Sequence, residues 1–224
     1  MAKVKRSESV ENFLKAVYVL EQKTGDRVST NALAESLGIF PPSVTDMARR
    51  LADARLLDYK RYYGVKLADA GREIAIQVIR RHRLVELYLV EELGYDLSEV
   101  HDEAERLEHA VSERFILAIE DKLGHPSVDP HGDPIPTKEG IVARRDLIAL
   151  TNLDLHSRAT VSRFLAEGDD MLQHILEKGF KLGSEVEVLD RDPFDGPLTL
   201  RIEDDAQVLL GHNVAGTIMV ELVK

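Results

Sequence analysis

The 224-residue chain contains no cysteine and no tryptophan. Without cysteine there can be no disulfide, no thiolate zinc or iron–sulfur site and no thiol nucleophile. Aromatic residues make up 5% of the chain, too few for recognition built mainly on base stacking. No apolar run approaches the roughly 18 residues that a membrane helix requires. The opening Met1-Ala2-Lys3-Val4-Lys5-Arg6 leads into no apolar segment, so no secretory signal is expected and a cytoplasmic protein is. Positive charge is scarce as well: 29 Lys and Arg face 40 Asp and Glu, a net of −11. A uniformly acidic protein repels nucleic acid. Here, however, residues 1–66 carry 12 basic and 8 acidic side chains (+4), and residues 67–224 carry 17 and 32 (−15). The chain is a basic head on an acidic body.

The first two-thirds reads as helices. Val10, Phe13, Leu14, Val17 and Leu20 recur at helical spacing over 9–22. A short helix over 30–37 starts at Ser29 or Thr30 and stops at Gly38, and Pro41-Pro42 opens a third with Val44, Met47, Ala48 and Leu51 on its buried stripe. Leu57–Arg61 and Val65–Leu67 flank a Tyr62-Tyr63-Gly64 turn and read as a hairpin. Helices are predicted over 69–93, from a Ser98 cap to about 110, and from Ser112 to Leu123. The Pro- and Gly-rich stretch 124–140 reads as a connector. Beyond it, strands at 186–189, 198–202 and 217–222 with one helix near 168–178 predict a small β-barrel.

Two constellations carry chemistry. Ala34, Gly38 and Val44 have the spacing of a helix-turn-helix: a small residue at the helix crossing, a glycine in the turn and an apolar residue closing the core. The hairpin that follows makes a wing. The third helix then faces the major groove with Pro42, Ser43, Thr45, Asp46, Arg49 and Arg50. Pro42 suits a thymine methyl, Asp46 a cytosine amine or an ion pair, and the others phosphates. Lys60, Arg61, Tyr62 and Lys66 on the wing suit backbone or minor groove. The second constellation is His101-x3-Glu105-x2-Glu108-His109, with His82 and Glu86 upstream as another i, i+4 pair. Residues three and four apart share a helix face, and like charges there are costly unless a cation relieves them. The donors are imidazole nitrogen and carboxylate or amide oxygen, and Met1, Met47, Met171 and Met219 lie outside the group. Such a set suits Mn(II) or Fe(II). Zn(II) or Ni(II) would bind at least as tightly, leaving geometry and supply to select.

A winged helix-turn-helix followed by H-R-L-V-E (82–86), H-x3-E-x2-E-H (101–109) and P-H-G-D-P-I-P (130–136) resembles the diphtheria toxin repressor family of metal-dependent regulators. The manganese-responsive members with a C-terminal SH3-like, FeoA-related domain are the most similar. The resemblance runs through 7–136, and the segment from Lys181 onward resembles the FeoA-related domain. It implies a non-enzymatic repressor of metal-uptake genes, a homodimer on a palindromic operator, and two metal sites per chain. One falls on His82, Glu86 and His101. The other falls on Glu105, Glu108 and His109 with Asn12 from the first helix. Glu105 stands where iron-responsive members have cysteine, which favours Mn(II) over Fe(II), with Zn(II), Co(II), Ni(II) or Cd(II) as substitutes in vitro. Asn12 stands where the family has Met or Asp, so Glu8 or Glu11 are alternative ligands. Lys15 stands at a ligand position of the two-domain manganese regulators, so their paired-ion site is not expected. In three-domain members the first site is completed from the linker and the C-terminal domain, where His131, Asp129 and an acid among Glu167, Asp169 and Asp170 are candidates; the iron-type C-terminal positions are Arg163 and Ala166 here, so the iron-type arrangement is not expected.

The fold class expected is therefore mainly α with small β: a winged helix-turn-helix over 1–72, a helical metal-binding and dimerisation domain with its linker over 73–140, and an SH3-like β-barrel over 141–224. Two rivals remain at this point. A metal-dependent hydrolase needs an open metal position and a general base, and no clear base is present. A winged-helix regulator sensing a small organic ligand would show no saturable Mn(II) binding.

Overall fold

The computed structural model describes residues 7–165, 168–203 and 206–223. Among them no helix is long and apolar enough to cross a membrane. The chain forms two compact units. The first runs through His82 and adds Leu107–Ser112 and Pro136–Val142; the second takes Arg83–Arg106, Glu113–Ile135 and everything from Ala143 onward.

The first unit opens with helices α1 (Glu8–Thr24), α2 (Thr30–Leu37) and α3 (Pro41–Asp53), then strands β1 (Leu57–Lys60) and β2 (Gly64–Leu67). The Ser29 hydroxyl accepts from Ala32 N and caps α2, and Gly38 ends it at φ 63°, a conformation that a Cβ would strain. Pro41 opens α3, where its missing N–H costs nothing. Val10, Phe13, Leu14 and Val17 of α1 join Leu33, Ala34, Val44, Ala48, Leu51 and Val65 in one buried core. At Gly64, φ is 94° and a Cβ would lie 2.1 Å from the Val28 carbonyl oxygen. Only glycine lets the wing close on Val28, which exchanges both backbone hydrogen bonds with Val65. The first half of α4 (Asp69–Leu93) completes this unit.

The second unit holds the rest of α4, α5 (Val100–Leu107), α6 (Glu113–Lys122), and a six-stranded antiparallel sheet with α7 (Asp169–Glu177) and α8 (His212–Ala215). Its strands are β3 (Ile148–Ala149), β4 (Arg158–Phe164), β5 (Glu185–Arg191), β6 (Leu198–Ile202), β7 (Ala206–Leu210) and β8 (Ile218–Leu222), in the order β3-β8-β4-β5-β6-β7. Leu150, Val161, Ile175, Phe180, Val188, Leu200 and Val220 lie in its core.

Several expectations need correction. Among the described residues the C-terminal strands form one six-stranded FeoA-type, SH3-like sheet, of which β3, β4 and β7 were not anticipated. The helix predicted from Ser98 to about 110 starts at Val100 and ends at Leu107. Its first turn is set by Asp96, whose carbonyl accepts from Glu99 N and Val100 N, so Ser98 is not the cap. Ala110 N and Val111 N both bond Leu107 O, turning the chain so that Glu108 and His109 leave the helix that carries His101 and Glu105.

The connector is ordered. Asp129 Oδ1 accepts from the backbone N–H of His131 and of Asp133, each at 2.9 Å. Phe164 N, at the end of β4, donates to His131 O. Gly132 lies so close to the Ser162 carbonyl that a Cβ would be 2.2 Å from its oxygen.

Candidate metal centres and DNA-binding face

In the first unit, Glu11 and Asn12 are consecutive on α1, about 100° apart around it. The His109 ring meets both. Its Nδ1 is 2.7 Å from Glu11 Oε2 and its Nε2 is 2.6 Å from Asn12 Oδ1. An oxygen on each ring nitrogen is satisfied by a doubly protonated ring, an inverted Asn12 amide or a bound cation. Glu108 Oε1 lies 3.1 Å from the same Nε2. Arg81 Nη2 donates to Glu11 Oε1 at 3.2 Å.

Glu108 has no exposed side-chain surface. Its Oε2 is 2.6 Å from His82 Nδ1, and Lys15 Nζ donates to Oε2 at 2.9 Å and to Oε1 at 3.1 Å. Burial pushes the carboxyl up, but the His82 hydrogen bond and the Lys15 ammonium outweigh it, holding Glu108 below the usual carboxylate range.

The second unit brings Glu86, Asp129 and His131 together, each offering one ligand atom within 4.8 Å of the others. Glu86 is 3% exposed, and His101 Nδ1 lies 3.1 Å from its Oε1. Burial, then Asp133 and Glu86, push Asp129 up to about 7 against the pull of Arg83. Burial pushes His131 down. Arg83 and Arg163 hold Asp133 at 2.9 and 2.5 Å. An imidazole nitrogen and two buried acids, one of which resists ionising alone, form a set that a divalent cation fits.

His82 is one turn before Glu86 on α4 and is likewise buried. Of the other predicted ligands, Glu105 is half exposed, with its carboxylate 4.0 Å from His101 Nε2. Glu8 and Asp170 are exposed, Asp169 opens α7, and Glu167 lies outside the described residues. Arg81 and Lys15 were not foreseen as partners of the acids. Lys15 and Glu108 stand 93 positions apart, and no local pattern links them.

On the DNA-binding face, Pro42, Ser43, Asp46, Arg49 and Arg50 are exposed on α3. Thr45 donates its hydroxyl to Pro41 O at 3.1 Å, within the helix. Asp46 pairs with Arg49 at 3.7 Å, and Arg50 Nη2 lies 2.8 Å from Met47 Sδ. On the wing, Lys60, Arg61, Tyr62 and Lys66 are exposed, with the Arg61 guanidinium 4.9 Å from the Tyr62 ring centroid. Phe40 and Tyr63, which the motif reading passed over, are 80% and 75% exposed at the tips of α3 and the wing. Their signal was an aromatic residue at a turn, where no core can bury it.

A basic helix-turn-helix and wing, sharing a compact unit with a nitrogen–oxygen cluster of cation-binding chemistry, define a metal-responsive DNA-binding regulator. Comparison with known proteins gives the family. Residues 5–65 match the "Iron dependent repressor, N-terminal DNA binding domain", 68–137 its "metal binding and dimerisation domain", and 148–222 the FeoA domain. The iron-dependent repressor IdeR of Mycobacterium tuberculosis is 32% identical over 96% of this chain and 98% of its own. The diphtheria toxin repressor of Corynebacterium diphtheriae is 29% identical over 96% and 97%. A manganese-dependent transcriptional repressor solved in complex with manganese superposes with a TM-score of 0.87 at 39% identity, over 96% of this chain and all of that one. The chain belongs to the iron-dependent (diphtheria toxin) repressor family, whose members are metal-dependent DNA-binding transcriptional repressors and not enzymes.

Proposed function

We propose that this chain is a manganese-responsive repressor of metal-uptake genes that works in the cytoplasm as a homodimer on a palindromic operator. The supporting observation is the His109 ring, seated on Glu11 and Asn12 of α1. The opposite face of that helix, Val10, Phe13, Leu14 and Val17, packs into the helix-turn-helix core. Whatever fixes Glu11 and Asn12 therefore fixes the head. Glu11, Asn12, Glu108 and His109 would hold one ion; Glu86, His101 and His131, with Asp129 beside them and His82 one turn earlier, would hold the other. A bound ion supplies the positive charge that draws these carboxylate, amide and imidazole donors together.

In the dimer, two recognition helices held at a fixed angle meet major grooves separated by whole turns of about 34 Å. We assign the head to 1–72, the metal-binding and dimerisation region to 73–140 and the FeoA-type domain to 141–224. Manganese is favoured over softer ions by the absence of cysteine and by the oxygen-rich donors. The similar repressor solved with manganese agrees with that choice. Coupling is reciprocal: metal must raise DNA affinity by the factor by which DNA raises metal affinity. Fluorescence anisotropy with a labelled promoter duplex, in Mn(II) and in chelator, tests the reading. Tight binding is expected in Mn(II) alone, and equal affinity in chelator would refute it.

A further inference from the structure

Phe40 is the N-cap residue of α3, and its side chain is 80% exposed. Ile39 before it is 41% exposed, and Pro41 and Pro42 after it are exposed as well. Single apolar residues on a surface are ordinary, but a contiguous run of them marks a place of contact. Among the described residues, four aromatic side chains are 75% exposed or more. Three of them, Phe40, Tyr62 and Tyr63, stand on the two turns that bound the DNA-binding face.

The leading turn of α3 has little to offer a phosphate. Pro41 and Pro42 have no N–H, and the N–H groups of Ser43 and Val44 both bond Phe40 O, at 2.9 and 3.3 Å. The free N–H groups by which a helix start holds an anion are therefore missing from Pro41 to Val44. The polar side chains behind them are engaged within the helix: Thr45 donates to Pro41 O at 3.1 Å, and Asp46 pairs with Arg49 at 3.7 Å. What this end of the helix presents is apolar. In the major groove the apolar group is the C5-methyl of thymine.

We infer that Phe40 is a specificity residue: its ring packs on a thymine methyl as α3 enters the major groove, so that the operator is read at this point by apolar contact and not by hydrogen bonds. The inference deepens the function proposed above by naming a base that the operator must carry, and it rests on that reading for the placing of α3 in the groove.

The test lets the protein choose its DNA. Full-length protein selects duplexes from a random pool in Mn(II), and a selected duplex is then made once with thymine and once with uracil, which lacks only the methyl group. Anisotropy in Mn(II) compares the two. Wild type should bind the uracil duplex more weakly, by about fourfold for each methyl buried and roughly fifteenfold for one in each half of a palindrome. Phe40→Ala should bind the thymine duplex more weakly and lose little further on the uracil duplex, whereas Phe40→Leu, still apolar, should keep most of the difference. Because the ring is mostly exposed, Phe40→Ala should melt level with wild type, which separates loss of a contact from loss of the fold. Equal wild-type affinity for the two duplexes overturns the inference, as does an undiminished uracil penalty in Phe40→Ala, and both leave the repressor reading standing. If Mn(II) enriches no sequence at all, that reading fails and the inference with it.

Discussion

The two clusters use the same donor types and stand in opposite electrostatic conditions. In the first unit, Lys15 and Arg81 neutralise Glu108 and Glu11, and Glu108 is held below the usual carboxylate range. In the second, Glu86, Asp129 and Asp133 outnumber Arg83 and Arg163, and Asp129 is pushed up to about 7. One cluster is charge-balanced before any ion arrives, while the other holds an acid that its surroundings keep protonated up to about pH 7. The first also grips α1 of the DNA-binding head, and Glu86, His101, Asp129 and His131 all belong to the second unit. The contrast assigns them different work. The first should convert metal binding into DNA affinity, and the second should set how strongly the protein holds metal and how that depends on pH.

The largest effect expected from this contrast is on DNA binding. His109→Ala removes the ring that joins Glu11 and Asn12 to Glu108. The metal-induced gain in DNA affinity, roughly 5–150-fold for a typical coupling, should disappear even at saturating Mn(II). His131→Ala should raise the Mn(II) concentration required and leave the saturated DNA affinity close to that of wild type. Anisotropy titrations at several Mn(II) concentrations separate the two. If both variants lose the saturated affinity alike, the clusters do not divide the work.

A smaller effect, of opposite sign to most core substitutions, is expected at Asp129. Its folded pKa of about 7 lies above the unfolded value of roughly 3.9. The folded state therefore holds a proton that the unfolded chain has released, and stability from this group falls as pH rises from about 4 to about 7. Above that window the buried charge is a full penalty. Asp129→Asn keeps an oxygen to accept from the His131 and Asp133 backbone N–H groups but cannot ionise. Metal-free Asp129→Asn should melt a few degrees above wild type at pH 8 and level with it at pH 4. A variant less stable than wild type at pH 8 would mean that the Arg83 contact outweighs burial.

How much of this could be read in advance follows from the range of each interaction. The helix-turn-helix was legible because Ala34, Gly38 and Val44 act within eleven residues, and the wing because its glycine lies between alternating strands. Strand β4 escaped notice because a register shift between Val161 and Arg163 breaks the alternation and buries Val161 and Ser162 in succession. The helix carrying His101 was drawn too long, since the turn that ends it at Leu107 carries no glycine or proline. His82, Glu86, His101, Glu108 and His109 stood out by spacing, and Asp129 and His131 came from the resemblance. Asn12 and Glu11 were both in view, but that one ring would use both required the fold. The countercharges Lys15 and Arg81 belong to pairings across 93 and 70 positions, set by packing alone.

The smallest effect concerns Glu105, the residue on which the preference for manganese over iron first rested. Its side chain is half exposed on α5, and its carboxylate stands 4.0 Å from the exposed His101 ring in a weak surface pair. Glu108 and His109 lie beyond the end of α5, so helix spacing no longer argues for placing Glu105 with them. If it joins them when metal is bound, Glu105→Cys presents a thiolate and shifts the ranking toward softer ions such as Co(II). The direct readout is optical: a cysteine-ligated Co(II) ion has an intense sulfur-to-metal band in the near ultraviolet, which the cysteine-free parent cannot show. Mn(II) affinity should fall by roughly tenfold or less, the loss of one carboxylate among several donors. Should the band be absent and the ranking of Mn(II), Fe(II) and Co(II) unchanged, Glu105 belongs to the solvated face of α5. The metal preference would then rest on the buried pair of clusters alone.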